Sequence, residues 1–355
     1  MDSMVYDVAI VGLGPARSTL ARMLNKDVKV IAFDKKNDRD DSFKKTCGGL
    51  LAPDAQKNFA MFGMTLPKDI LVDPQIFSVK TIDLKTGILR HYQRPYVNMD
   101  RHRFDMWLKS LIPENVEVHD SVTCSSVVKA GNVYEITVTE NKVKNIYRAK
   151  YIVGADGANS MVRRSLFPNH KIDTYTSVQQ WFHDRHSRPF YACIFDEEFT
   201  DCYAWGLSKN EYFIFGGAYP VRNSRERFEK MKEKLRDYGF ILDNPVKTEA
   251  CMVLSPSSPR QLCPGDGHCM MIGEAAGFIS PSSLEGLSYA FESAYKLSRL
   301  FNERKEFTAR DYRKSVRTLR FRLTLKMIKQ HFIMGAFLRK MVMKSGISSF
   351  EVIDD

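Results

Sequence analysis

The residues best suited to a defined chemistry open the chain. Gly12-Leu13-Gly14-Pro15 follows the apolar run around Val8, Ile10 and Val11, and Asp34 lies about 20 residues further on. Gly12 allows a sharp turn and Gly14 lets a ligand pyrophosphate approach the backbone. Pro15 suits the first turn of a helix whose unpaired amides and positive dipole end would meet that charge. Asp34 closes the following strand, where a carboxylate accepts from ribose hydroxyls. Arg17 stands where the third glycine of such a turn is expected; it costs helix–strand packing and leaves its guanidinium near phosphate or solvent. Two further turns carry glycine beside reactive side chains. Thr46-Cys47-Gly48-Gly49 either passes something closely or merely turns, and Gly154-Ala155-Asp156-Gly157 ends a buried strand in an acid placed to cap the next helix.

These groups need a scaffold, and the hydrophobic periods outline one. Strand, helix and strand run from Tyr6 to Asp34, followed by a charged connection from Lys35 to Lys45 and a helix starting near Pro53. Ile76 to Tyr92 alternates around a Thr86-Gly87 hairpin turn, and Asn98 to Ile112 has Phe104, Trp107, Leu108 and Leu111 on one helical face. Strands follow at 116–118, 123–129, 133–138 and 147–153. Residues 177–182, 190–195, 202–207 and 211–219 form an aromatic and β-branched succession that suits an antiparallel sheet. Asn223 with Glu226 makes a capping-box pattern before a helix striped by Phe228, Met231 and Leu235 and stopped at Gly239. Another buried strand, Met270 to Gly273, precedes a helix from about Leu284 to Leu300. The expected fold is α/β with α+β character. A Rossmann-like βαβ domain is built from 1–72, 98–170 and 250–300, an antiparallel-sheet domain from 73–97 and 171–249, and a helical arm from 301–355.

At 355 residues the chain can bury a large core, and its 44% hydrophobic content is ordinary for a globular protein. Seven scattered cysteines without a C-x-x-C pair argue against a disulfide framework and a structural zinc site, so no metal is expected. The lack of a membrane-length apolar run and of a signal-type start reads as cytoplasmic. The net charge of +11 is local, because residues 301–345 hold thirteen Lys or Arg against three Asp or Glu. Leu319, Leu323, Met327, Met334, Leu338 and Met341 recur there at helical spacing with basic residues alongside. An ordinary docked helix and a peripheral contact with anionic lipid share that pattern. A small acidic redox protein is a further partner of suitable charge. Nucleic acid is not expected, since aromatic stacking positions are not interleaved with the basic ones.

Four strings in this order, GLGPA with Asp34, the arginine of MDRHRFDMWL, GADGANSMVRR and GEAAGFISPSSLEG, resemble the hydroxylase-like flavoproteins of glutathione-reductase type. KKTCGGL and the Tyr203-x-Trp205 strand ending at Gly216-Gly217 resemble the geranylgeranyl reductase family within that group, most of all its bacterial CbrA-like branch. The resemblance spans residues 5 to about 345. It implies FAD as cofactor, contacted by Gly12, Gly14, Pro15, Ala16, Asp34, Lys35, Cys47, Gly48, Gly49, Arg101, Asp156, Gly157, Gly273, Glu274, Gly277, Pro281, Glu285 and Gly286. Glu274 replaces the usual aspartate and displaces its acceptor. Leu284 replaces the first glycine of P-x-x-G-E-G, before a helix whose N-terminus would favour negative charge on the reduced flavin.

The same resemblance implies a substrate channel at Gln180, Tyr203, Trp205 and Gly216, with Tyr203 and Trp205 on one strand face. Cys47 becomes the catalytic candidate, a thiol that can serve as an acid. The implied activity is an FAD-dependent oxidoreductase that saturates carbon–carbon double bonds of a prenyl or other lipid-like substrate, with electrons from NAD(P)H or an acidic redox protein. The alternatives are an NAD(P)H-dependent monooxygenase on the same scaffold and a non-catalytic binding protein with a degenerate FAD site.

Overall fold

The computed structural model describes residues 4–12, 14–35 and 45–352. Strand β1 (Val5–Gly12), helix α1 (Pro15–Met23) and strand β2 (Val30–Phe33) form the opening βαβ unit. Val8 and Ile10 are fully buried because β1 runs through the middle of its sheet. Such an apolar run without alternation is what a strand covered on both faces requires. Parallel to β1 lie β2 and the long strand Val143–Ala155; beyond these come Val116–His119 and Cys269–Met271, also parallel. The first half of the long strand pairs antiparallel with Val133–Glu140, which pairs with Thr123–Ala130.

The register decides the site. Gly12 lies beside Ala155, so the glycine turn and Asp156 leave the same carboxyl edge of adjacent parallel strands. A side chain at Gly12 would overlap the Ala155 carbonyl.

The remaining helices are α2 (Pro53–Met61), α3 (Arg101–Ser110), α4 (Met161–Leu166), α5 (Ser224–Leu235), α6 (Leu287–Glu303), α7 (Ala309–Ser315), α8 (Arg317–Met334) and α9 (Ala336–Ser345). Asp100 starts α3 by accepting from the amides of His102 and Arg103 at 2.8 and 2.9 Å. Phe104 and Leu108 are buried beneath that helix, with Trp107 and Leu111 partly covered in the same cluster. The α6 helix begins later than its hydrophobic period suggests, because Leu284 is in a left-handed conformation (φ 49°) that cannot start a helix.

The second sheet runs in the order Lys247–Leu254, Thr174–His183, Tyr212–Pro220, Ala204–Lys209, Tyr191–Phe195, Ser78–Asp83, Ile88–Gln93 and Ser349–Phe350. It is antiparallel except between Tyr191–Phe195 and Ser78–Asp83, and its hairpin turns at Gly87 as the sequence implies. Phe228, Met231 and Leu235 of α5 are buried against it. The expected Asn223 capping box does not form. Asn223 adopts a left-handed conformation with no side-chain cap, and Glu226 pairs instead with Lys230 at 2.8 Å.

The C-terminal arm divides. Val316, Leu319, Leu323 and Met327 are buried in the main core, whereas Leu338 and Met341, expected on the same face, are 37% and 55% exposed. The break between α8 and α9 at Gly335 ends the shared helical phase. In α9 the buried side chains are Arg339 and Met343, and Arg339 pairs with the buried Asp83 at 3.0 Å. No helix of the described residues is long and apolar enough to cross a membrane, and among them no His, Cys, Asp and Glu cluster suits a metal ion.

Candidate functional site

A cavity of 1090 Å³ lies between the two sheets, with walls drawn from the carboxyl edge of the first, the face of the second, and α3, α6 and α8. It exceeds the roughly 300–1,000 Å³ usual for a small-molecule pocket, which leaves room for a dinucleotide together with a second ligand.

One end is a cradle for an anion. Gly12, Gly14, Pro15 and Ala16 line it. The first turn of α1 has no side-chain cap, and nothing lies within 4 Å of where a side chain on Gly14 would begin. Free amides, a positive helix end and open space at one point suit a pyrophosphate. Asp156 and Gly157 complete this end. One oxygen of Asp156 accepts from the amides of Met161 (2.6 Å) and Val162 (3.1 Å) and so supports the first turn of α4, but the N-cap itself is Ser160, whose side chain accepts from the Arg163 amide at 3.0 Å. The other Asp156 oxygen is buried with no partner among the described residues, leaving an acceptor available to a ligand hydroxyl. Burial raises its pKa, against the hydrogen bonds from Ser160, Val162 and Met161. Arg163 anchors the loop by donating to the carbonyls of Ala275 and Ala158, each at 2.6 Å.

Asp34 departs from its expected place. Its carboxylate is 2% exposed, off the cavity wall, and forms an ion pair at 2.9 Å with Arg17, itself 1% exposed. The guanidinium therefore lies neither at phosphate nor in solvent: it spans the space a third glycine would leave and takes an oxygen expected to serve a ribose. Lys35 does line the cavity. The charged connection behaves differently at its end, because Lys45 folds back to pair with Glu274 at 2.7 Å. Burial works against its charge, but Glu274 outweighs it and the Lys45 pKa is raised. The other Glu274 oxygen accepts from the Leu254 amide at 3.2 Å. The longer carboxylate thus joins three segments. Residues 36–44 lie outside the described residues.

In the middle of the cavity sits the turn Cys47-Gly48-Gly49. Gly49 has φ +70°, and a side chain there would overlap the Met99 carbonyl. The Gly49 amide donates to Cys47 Sγ at 3.4 Å. Arg101 stands beside the thiol and donates to Asp105 at 2.8 Å. Burial opposes the Arg101 charge, but Asp105 and Cys47 more than offset it, so its pKa is raised.

Lys209 was not signalled by the sequence. It ends a strand beside a turn, where a lysine ordinarily reaches solvent, yet it is 5% exposed. Its ammonium donates to the carbonyl of Gly48 (2.9 Å), to Asn98 Oδ1 (3.0 Å) and to the carbonyl of Met99 (2.7 Å). Burial pushes Lys209 down to about 8, with Cys47 and Asp100 opposing. Since the folded value lies below the ordinary lysine value of about 10.4, the unfolded chain binds more protons between these two pH values. The cost of burying the charge is therefore complete below pH 8 and disappears as the pH rises towards 10. Urea denaturation should show wild type gaining up to about 3 kcal/mol across that window relative to Lys209→Met, and parallel curves for the two proteins would refute the assignment.

The far wall is aromatic. Tyr203 and Trp205 both line the cavity, with ring centroids 5.8 Å apart. Tyr203 donates to the Ser283 carbonyl at 2.6 Å, and burial keeps its hydroxyl protonated by raising its pKa. Gly216 is not on the wall. It sits opposite Trp205 in the neighbouring strand, where any side chain would collide with the indole. Gln180 is also elsewhere: it bonds Glu229 and Lys232 of α5 on the opposite face of the sheet. Because side chains alternate, its neighbour Gln179 faces Trp205 and accepts from the indole at 3.4 Å.

Around the start of α6, Glu285 and Gly286 line the cavity, while Gly273, Gly277 and Pro281 lie behind it. Gly273 has φ +56° and a side chain there would press on Ala16 at 3.1 Å, so its role is packing against α1. Glu285 accepts from the Ser288 amide at 2.7 Å and so occupies part of the helix end that would favour a ligand's negative charge. Burial raises its pKa, against Ser288. Leu284 adopts the left-handed backbone that a glycine would take most easily.

No family model matches the chain. It is 47% identical over 351 residues to the protein CbrA of Escherichia coli O6:H1, covering 99% of this chain and 96% of that one. Identity to CbrA of Shigella sonnei is also 47%, over 99% of both chains. Among solved structures, a geranylgeranyl bacteriochlorophyll reductase-like protein from Thermoplasma acidophilum superposes with a TM-score of 0.83 at 17% identity, covering 98% of this chain and 92% of that one. The p-nitrophenol 4-monooxygenase of Pseudomonas putida gives 0.65 at 14% identity, with 97% and 93% covered. A flavin-dependent halogenase gives 0.70 at 16% identity, with 91% and 63% covered. At these identities the likeness is one of fold.

Proposed function

The chain belongs to the CbrA family, and on that premise we infer that it is an FAD-dependent oxidoreductase that reduces carbon–carbon double bonds of a prenyl or other lipid-like substrate. The observation that carries this reading is the position of the Cys47 turn, between an amide-lined anion cradle and an aromatic wall in one continuous cavity. The shared fold with reductase-like and flavin-dependent enzymes supports it. The free amides of α1 would hold the FAD pyrophosphate, Asp156 would accept a hydroxyl, and Arg101 would add positive charge. FAD, when bound and first reduced by the electron donor, would supply the hydride. The chain supplies orientation and a proton. Tyr203 and Trp205 exclude water and hold an apolar chain, and Cys47 gives a proton to the second alkene carbon. The charge left on sulfur is met by Arg101 and Lys209, whose ammonium is fixed on the adjoining carbonyl, and the thiol is restored from solvent.

The test is an anaerobic single turnover of reduced, FAD-loaded protein with geranylgeraniol, followed by mass analysis. A gain of two hydrogens is expected, slowed by roughly 10²–10⁴ in Cys47→Ala and Cys47→Ser while the visible spectrum is retained. A product that requires oxygen and gains one oxygen atom would establish the monooxygenase instead. A colourless protein whose melting temperature ignores added FAD would establish a binding protein without redox activity.

A further inference from the structure

Tyr203 makes a contact that a residue of the aromatic wall does not need. It stands just before the strand Ala204–Lys209, and its carbonyl accepts from the Ala218 amide at 3.2 Å, so the second sheet fixes its backbone. Its hydroxyl leaves that sheet and donates to the carbonyl of Ser283, in the loop before α6, at 2.6 Å. Burial keeps the hydroxyl protonated, with Cys193, Cys202, Tyr96 and Cys47 acting in the same direction, so the donor is present throughout the neutral range. Among the described residues, this is the hydrogen bond that ties the second sheet to that loop.

The loop is otherwise closed on itself. The Ser280 amide donates to the Glu285 carbonyl at 2.9 Å, and the Leu284 amide donates to the Ser280 carbonyl at 2.8 Å. The Ser283 hydroxyl donates to that of Ser280 at 2.9 Å. Leu284 holds φ 49°, a backbone that a residue with a side chain adopts at a cost and keeps only where its surroundings impose it. Those surroundings include the second sheet. Leu284 and Tyr203 both pack against the cluster of Ile279, Cys202 and Ala218, and Tyr203 bonds the carbonyl just before Leu284.

What this loop carries is the start of α6. Gly286 gives the helix no side-chain cap, and Leu287 and Tyr289 of its first turn line the cavity next to Glu285. A helix N-terminus favours negative charge within about one turn, and bound FAD gains negative charge when it is reduced. The position of this helix end therefore weights the reduced cofactor against the oxidised one, and a residue of the opposite wall helps to set that position.

We propose that Tyr203 is a positioning residue for the flavin: its hydroxyl bond to Ser283 fixes the loop before α6 and, through it, the helix end that favours reduced FAD. The proposal rests on the reading of the cavity as an FAD site and is independent of which substrate the aromatic wall receives.

The reduction potential tests it without turnover. Tyr203→Phe removes the hydroxyl and keeps the ring. Tyr175→Phe is the matched control, because Tyr175 packs against the same cluster but sends its hydroxyl to Asp201 at 2.8 Å and lies off the cavity wall. Potentials of the FAD-loaded proteins are measured anaerobically against a reference dye, with melting temperatures alongside. Tyr203→Phe is expected to lose at least tenfold in its preference for reduced over oxidised FAD, which lowers its potential by about 30 mV or more for the two-electron couple. The Tyr175→Phe potential should equal that of wild type. Release of FAD from Tyr203→Phe alone, with the fold retained by circular dichroism, would support the same role. An unchanged potential in Tyr203→Phe, whatever its melting temperature, or equal shifts in the two variants would overturn the positioning role and leave the FAD enzyme standing. A wild-type protein that stays colourless with added FAD would remove both.

Discussion

Arg17→Ala is expected to destabilise the protein by about 3–5 kcal/mol, one of the largest effects of any single substitution here. The ion pair it breaks is almost fully buried, with side chains 1% and 2% exposed at 2.9 Å. Removing the guanidinium takes the cation from a carboxylate already withdrawn from water, and that desolvation is not recovered. The pair is not an ideal one, since Arg17 Nε and Nη1 are buried without acceptors among the described residues. Removing both charges should therefore cost much less than removing one, so Arg17→Ala/Asp34→Asn is expected to regain most of the loss. Urea unfolding of the two single variants and the double variant forms the cycle. A loss below about 1 kcal/mol in Arg17→Ala would mean that Asp34 is compensated by other groups. FAD affinity should fall with stability in Arg17→Ala, because the pair joins α1, whose N-terminus forms the cradle, to the end of β2.

Gly49→Ala is expected to damage both stability and turnover. Two costs add at this position. The left-handed backbone, φ +70°, is unfavourable for any residue with a side chain, and the new carbon would overlap the Met99 carbonyl and lie 2.5 Å from Lys209 Nζ. The Met99 carbonyl and the Lys209 ammonium are bonded to one another, so neither yields without disturbing the other. Displacing the ammonium also frees the Gly48 carbonyl and shifts Cys47. A loss of about 2–4 kcal/mol and at least a tenfold slower anaerobic reduction are expected. Gly87→Ala is the control, since Gly87 has φ +67° in a hairpin turn with nothing within 4 Å of the new carbon. It should show the conformational cost alone, about 1 kcal/mol, with unchanged reduction kinetics. Equal losses in the two variants would mean that close packing at Gly49 contributes nothing.

The candidate site was legible wherever its geometry is local. A strand that ends at Gly12, a proline at the first helical position and Asp156 after a buried strand fix their own backbones, so the cradle follows from residue order. Alternation also placed Tyr203 and Trp205 on one wall correctly. Gln180, placed in the channel by the resemblance alone, misses it by a single residue, because alternation gives a strand two faces and does not say which one meets the cavity. The arm shows the same limit. Its helical period is real, but burial of Leu319, Leu323 and Met327 with exposure of Leu338 and Met341 depends on the break at Gly335 and on what lies beneath.

The sequence by itself determined the βαβ opening, the hairpin at Gly87, the glycine turns and the inventory of aromatic strands, because each depends on backbone preferences and periodicity within a few residues. Only the tertiary structure decided which charges meet. Lys45 finds Glu274 across 229 positions, and Lys209 finds the Gly48 carbonyl across 161. Arg17 reaches Asp34 from the next element instead of solvent. A lysine or arginine in a sequence carries the same charge and the same preference for water wherever it stands. Its environment is set by the surfaces that packing brings over it, and only there do desolvation and an opposite partner give it a distinct role.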